Sequence, residues 1–358
     1  MKIAIDTQTT LGQKSGFGFY VENLVESLKK VDSENDYILI APDSERDLST
    51  PQRLVWDQWT FPRQAAKAKV DILHQPCFSA PLFYRGKIVI TIHDLISHFF
   101  SKNIPQGSRF YFSKWMPLTY GKADKIIAIS ENTKKDIMSL LKIPEEKIVV
   151  IHSAVSEEFR PMVDTGKVAA IKAKYGISGK YILDVGTLEP RKNLPFLVKA
   201  FDLAVHRGGI EHSLVLTGKK GWYYENLFNL IKELNLGQRV ILPGYVADED
   251  LPALYNGADL FCFPSLYEGF GFPPLEAMSC GTPVVAAKNS SIPEVVGEAG
   301  LLLSLKDADL WAKNIVKVLA SPKKLAELRH KGLERAKEFS WEKTARETSK
   351  VYNEVYKS

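Results

Sequence analysis

Short β-branched runs recur along this chain, each near a Gly, Pro, Asp or Ser signal, and amphipathic stretches at helical spacing separate them almost to the end. In the first half the runs are Lys2–Asp6, Tyr37–Ile40, Ile72–His74, Ile88–His93, Ile126–Ser130 and Val149–Ile151. In the second they are Tyr181–Gly186, Leu214–Gly218, Val240–Pro243, Leu260–Pro264, Pro283–Ala286 and Leu301–Leu303. This alternation predicts an α/β fold of parallel sheets covered by helices on both faces. Two similar series predict two similar domains. Between them, Glu157 to Asp164 is polar and broken by Pro161, which places the boundary near Val163 and the domains at 1–163 and 164–340. After Phe339 a last helical run begins, with Ser340 as its cap, and occupies 341–358.

Length agrees with two domains of average size, since 358 residues exceed one ordinary core. A hydrophobic content of 45% with 25% charged residues is that of a globular protein, and no run of about 18 apolar residues could cross a bilayer. Asp6 interrupts the apolar start where a signal peptide needs continuity, so the expected location is cytoplasmic. Cys77, Cys262 and Cys280 lack paired spacing and are expected to be buried fillers rather than disulfide or zinc ligands. The net charge of +5 permits an anionic partner but does not call for nucleic acid.

Open doubly wound sheets bind ligands beyond the carboxyl ends of their strands, so the loops there hold the candidate chemistry. After the first run, Gly12-Gln13-Lys14-Ser15-Gly16-Phe17-Gly18 precedes a helix through Val21, Leu24, Val25 and Leu28. Gly16 and Gly18 could let backbone approach a phosphate, or simply form a tight turn. The spacing is not that of a dinucleotide loop, and Asp43 lies too far along to bind a ribose. His93 ends a strand beside Asp94, a place for a polar contact to a sugar or for a loop-satisfying imidazole. His74, His98 and His152 read as structural.

In the second half, Gly186-Thr187-Leu188-Glu189-Pro190-Arg191-Lys192-Asn193 leads into an apolar helix. Cations at a helix start oppose its dipole unless an anion joins them, and a diphosphate would accept charge-assisted bonds from both. The alternative is two solvated surface charges. The segment Phe263 to Val285 carries more: a strand ends, Gly269 and Gly271 expose backbone N–H groups, Pro274 suits a helix start and Gly281 its stop. Glu268 falls in that loop and Glu276 one turn into the helix, where the dipole alone would favour an acid.

Two other stretches carry chemistry less well. Asp248-Glu249-Asp250 has the spacing of manganese ligands, yet it reads as the cap of the helix that follows, so no metal site is expected. Residues 95–123 contain no acid but carry Lys102, Arg109, Lys114 and Lys122 among Phe99, Phe100, Phe110, Tyr111, Phe112, Trp115 and Tyr120. Such a mixture can rest on an anionic membrane through 99–122 or line an acceptor site; core packing by the aromatics is the favoured alternative.

These residues resemble the retaining glycosyltransferases of family 4, over nearly the whole chain. The most specific element is a Glu-x7-Glu motif, met by Glu268 and Glu276. The resemblance implies the GT-B fold: two Rossmann-like domains facing an interdomain cleft, with the last helix returning to the first. It implies that Glu268 and His93 contact the donor sugar, that Glu276 takes the ribose, and that Arg191 and Lys192 bind the diphosphate near Gly186. Gly16 would close over the phosphates, Val246 would line the nucleobase with backbone, and the helix start at Phe270, Gly271, Phe272 and Leu275 would support the donor. Two positions depart from the family pattern: His152-Ser153-Ala154 stands where Asn-Gly is common, and Thr187 where a second arginine sometimes sits.

Phrases such as Thr91-Ile92-His93-Asp94-Leu95, Gly218-Lys219-Lys220-Gly221-Trp222 and Ser291-Ile292-Pro293-Glu294-Val295 are most similar to bacterial mannosyltransferases of polysaccharide assembly. The expected activity is therefore hexosyl transfer with retention, GDP-mannose favoured as donor, to a glycan or lipid-linked acceptor, without metal or cofactor. The enzyme would be cytoplasmic, or peripheral at the inner face of the membrane. A UDP-sugar donor is the main alternative; a GT-B epimerase, a glycosidase using Glu268 and Glu276, and a non-catalytic sugar-nucleotide-binding subunit are the others.

Overall fold

The structure, a computed structural model, describes all residues except 13–15, 101–105 and 222–224. Gln13, Lys14 and Ser15 of the glycine loop, Lys102 of the basic-aromatic stretch and Trp222 therefore lie outside the described residues. Every β-branched run forms a strand, and the strands make two parallel six-stranded sheets. The chain divides into two compact units, residues 1–154 with 339–358 and residues 155–338.

In the first unit the strands are β1 (Lys2–Asp6), β2 (Asp36–Ile40), β3 (Ile72–Gln75), β4 (Lys87–Ile92), β5 (Lys125–Ala128) and β6 (Ile148–Val150), in the order β2-β1-β3-β4-β5-β6. Ile3, Ile5, Leu73, Ile88, Ile90 and Ile126 are buried on its faces, which is why these segments read as unbroken apolar runs. The chain leaves β1 toward one edge and returns on its other side at β3, so a topological switch point opens between them.

The second unit holds β7 (Tyr181–Val185), β8 (Ser213–Thr217), β9 (Val240–Gly244), β10 (Leu260–Phe263), β11 (Val284–Ala287) and β12 (Leu301–Leu303), ordered β12-β11-β10-β7-β8-β9. Its switch point lies between β7 and β10. Residues just after Val155 already belong here: the Met162 N–H donates to Asn256 Oδ1 at 2.8 Å, and Asn256 Nδ2 donates to the Arg160 carbonyl at 3.0 Å.

The last helix, Trp341–Lys357, is part of the first unit. Ser340 caps it by accepting from the Lys343 N–H at 3.2 Å. Trp341, Ala345, Thr348, Tyr352 and Val355 recur at helical spacing and are buried. Trp341 meets Tyr20 edge to face with ring centroids 5.5 Å apart, and Thr344 donates to the His152 carbonyl at 2.7 Å. Tyr352 Oη lies 2.6 Å from His74 Nδ1, whose other nitrogen lies 2.9 Å from Thr91 Oγ1. Burial lowers the His74 pKa to about 3, so this imidazole is a neutral structural group.

The basic-aromatic stretch divides. Tyr111, Met116 and Tyr120 join the core, with Phe112 and Trp115 packed against it. Phe99 and Phe110 stay exposed. Among the described residues no helix is long and apolar enough to cross a membrane.

Removing the Tyr352 hydroxyl leaves a buried imidazole nitrogen without its partner, so Tyr352→Phe is expected to destabilise folding by about 1–3 kcal/mol in urea denaturation. A loss below about 0.5 kcal/mol would show that the helix docks by apolar packing alone.

Candidate active site

At the end of β4, His93 is almost fully buried. Its Nε2 lies 2.9 Å from the Pro76 carbonyl and 3.6 Å from Cys77 Sγ, while the Tyr20 and Phe17 rings enclose it at 4.6 and 4.8 Å. Burial lowers its pKa to about 4, so the ring is neutral. A carbonyl can only accept, which places the proton on Nε2. Gly16 opens the helix Gly16–Val31, and among the described residues a Cβ there would meet nothing within 4 Å.

The first unit also holds a buried polar network that the sequence did not announce. Gln8 Nε2 donates to Asp6 at 2.5 Å and to Asp57 at 2.9 Å, and Gln75 Nε2 joins the same two acids at 2.8 and 3.2 Å. Ser79 Oγ and Tyr111 Oη each donate to Asp57 at 2.6 Å. Burial, then the neighbouring Asp57, raises Asp6 to about 7, and burial raises Asp57 as well. The network ties together the loops that leave β1 and β3, at the switch point of the first sheet.

In the second unit Arg191, Lys192 and Glu268 come together at the β7/β10 switch point. Arg191 and Lys192 lie on a single 3-10 turn, Pro190–Lys192, just before the helix Leu194–Gly208. The anion they need is supplied by the chain itself. Lys192 Nζ donates to Glu268 Oε1 at 2.6 Å, and Arg191 reaches the same oxygen at 2.8 Å. Arg191 also pairs with Glu189 at 2.6 Å and donates to the Tyr267 carbonyl at 2.7 Å. Gly186 is explained by the lysine: a Cβ there would stand 3.0 Å from Lys192 Cε.

Glu268 is 8% exposed, and Ser265 Oγ adds a third donor to its Oε1 at 2.6 Å. Burial pushes its pKa up, but Lys192 and then Arg191 outweigh that and hold it at about 2. The loop is clamped from β11's side: Ser290 Oγ accepts from the Glu268 N–H at 3.0 Å, and Ser291 Oγ donates to the carbonyls of Glu268 and Phe270 at 2.9 and 2.6 Å. Gly271, at φ +123°, stands at the N-terminus of the helix Phe272–Ser279, a conformation side chains rarely adopt. Phe270 is buried against the Phe272 ring at 5.2 Å, and the Leu275 N–H closes the first turn on the Gly271 carbonyl.

Glu276, one turn on, accepts from Tyr255 Oη at 2.6 Å. Burial raises its pKa to about 7 against the lowering effect of that bond and of Lys192. Val246 is buried just beyond β9, where Gly244 turns at φ +81°. Asp250 does not act as the expected side-chain cap. Its carboxylate instead takes Lys174 Nζ at 2.6 Å and Tyr175 Oη at 2.7 Å, charge-assisted contacts that outcompete a cap bond. Among the described residues no group of three or more His, Cys, Asp or Glu could hold a metal ion.

Sequence reasoning passed over one more acid. Asp184, on β7, is fully buried, and neither carboxylate oxygen has a hydrogen-bond partner among the described residues. Burial raises it to about 7, with Lys192 opposing and Glu268 adding to the rise.

Residues 168–338 match the model of glycosyl transferases group 1, and residues 16–159 that of glycosyltransferase family 4. The chain is similar to O-antigen chain mannosyltransferase B of Escherichia coli, 34% identical over 296 residues, covering 81% of this chain and 77% of that one. It is 32% identical over 265 residues to the serotype-specific mannosyltransferase WbdA of the same species; this match covers 72% of the chain and about a third, 32%, of that longer protein. Among solved structures, Anabaena HepE in complex with UDP and glucose superposes with a TM-score of 0.76 at 18% identity, covering 99% of this chain and 100% of that one.

Because the Tyr255 bond favours the charged form of Glu276, Tyr255→Phe is expected to move the Glu276 titration upward from about 7, read by carboxyl 13C NMR. An unchanged or lower midpoint would mean that the phenol does not hold this acid.

Proposed function

This chain belongs to the glycosyltransferases of family 4, with the GT-B fold, and from that membership we propose that it transfers mannose from GDP-mannose, with retention, to a glycan or lipid-linked saccharide. The observation that carries the reading is the meeting of Arg191, Lys192 and Glu268 at the β7/β10 switch point. Two cations fixed on one turn suit a diphosphate, whose oxygens accept charge-assisted bonds. Both mannosyltransferase relatives support mannose as the sugar, and the UDP complex of HepE supports a nucleoside diphosphate carrier.

In this reading the acceptor oxygen forms a bond to the anomeric carbon as the bond from that carbon to the phosphate oxygen breaks. The hydroxyl proton passes to the departing phosphate on the same face, and Arg191 and Lys192 stabilise the charge that develops there. Glu268, ionised at neutral pH and tied to three donors, orients sugar hydroxyls rather than delivering a proton. Glu276 and the backbone near Val246 take the nucleoside. Turnover needs no divalent metal, because the two side chains supply the positive charge. The enzyme works in the cytoplasm, and any peripheral membrane contact through 99–122 rests on exposed Phe99 and Phe110.

Arg191→Ala combined with Lys192→Ala is expected to lower mannose transfer from GDP-mannose by at least about a hundredfold in the presence of EDTA, while Lys174→Ala leaves it unchanged. Undiminished turnover in the double variant would remove the leaving-group site from these residues. A thermal-shift panel of GDP-, UDP- and ADP-sugars reads the nucleobase, since a bound donor stabilises in proportion to its occupancy. A larger shift with a UDP-sugar would replace the donor assignment.

A further inference from the structure

Asp184 has no role in the reaction as described, yet it stands two residues before Gly186, which packs against the stem of Lys192. We propose that Asp184 is a proton-linked positioning residue of the leaving-group site: its carboxyl group must be uncharged for Lys192 to serve a diphosphate, so donor binding is coupled to its protonation. The proposal rests on the reading of Arg191 and Lys192 as the diphosphate site.

Asp184 sits on β7 at the switch point, two residues before Gly186, where the stem of Lys192 passes within 3.0 Å of a would-be Cβ. It is buried, and its oxygens have no hydrogen-bond partner among the described residues, so an ionised form would be costly unless a cation turned to it. The titratable groups that interact with it electrostatically are Lys192 from the 3-10 turn, Glu268 from the loop after β10, Cys262 from β10 and Tyr255 from the helix Leu251–Gly257. Of these, Lys192 is the cation.

Charge balance gives the direction. Arg191 and Lys192 are matched by Glu189 and Glu268, so these four charges cancel while Asp184 keeps its proton. Ionising Asp184 would add a third negative charge where a diphosphate has to bind, and would draw Lys192 toward the strand. An entering diphosphate raises the Asp184 pKa in turn, because linkage is reciprocal. The raised starting value of about 7 puts the effect in an accessible range.

The test is calorimetric titration of GDP and of UDP into the wild-type protein and Asp184→Asn between pH 6 and 8.5. The nucleotide's own phosphate ionisation is common to both proteins and cancels in the ratio of affinities. If binding raises the Asp184 pKa by one unit, wild-type affinity relative to the variant falls about fivefold between pH 6 and 8. Parallel pH curves in the two proteins overturn the proposal and leave the diphosphate site standing. If neither nucleotide binds the wild type at any pH, the site and the proposal fall together. Should Asp184→Asn fail to fold, proton uptake by the wild type at pH 8, measured in buffers of different ionisation enthalpy, decides. About 0.4 proton per nucleotide is expected for that one-unit rise, and no uptake overturns the coupling.

Discussion

Lys192 and Arg191 deliver their charges to one oxygen of Glu268, in a place where all three side chains are nearly buried. Charges removed from water are tolerated only when their partners are fixed and their remaining donors satisfied. The rest of the second unit supplies those conditions. Ser265 completes the carboxylate, Ser290 and Ser291 hold the loop that carries it, and the glycine at 186 leaves room for the lysine stem. A diphosphate that approached the pair would compete with Glu268 for the same donors. The site therefore begins from a paired state, and under the proposed function diphosphate binding would be an exchange of anions rather than the filling of a bare positive pocket.

Both sheets place their polar groups where the strand order reverses. In the first, Asp6 and Gln75 extend the two strands that flank the reversal; in the second, the turn after β7 and the loop after β10 do so. Loops that diverge from neighbouring strands leave space between them that backbone cannot fill, so side chains from distant sequence positions meet there. The 76-residue separation of Lys192 and Glu268 is a consequence of that topology.

The central strands were legible because parallel strands buried on both faces must be apolar throughout. The helix that follows Gly271 was legible from its proline and glycine punctuation. The Asp6–Asp57 network was not, because Gln8 and Asp57 are 49 residues apart and each looks like an ordinary polar residue near a turn. Asp184 was hidden for the opposite reason: a single acid inside an apolar run reads as part of the strand. Asp250 misled because a local capping signature was overridden by Lys174, again 76 residues away. Local rules describe local bonds, and these contacts are not local.

His93 shows what a fixed tautomer entails. With its Nε2 proton committed to the Pro76 carbonyl, the ring has only the lone pair of Nδ1 left to offer. A hydroxyl meeting that nitrogen must bring the hydrogen itself, so the imidazole would select for the direction in which the hydroxyl points rather than merely for its presence. With a pKa near 4, that preference would persist unchanged across the physiological range.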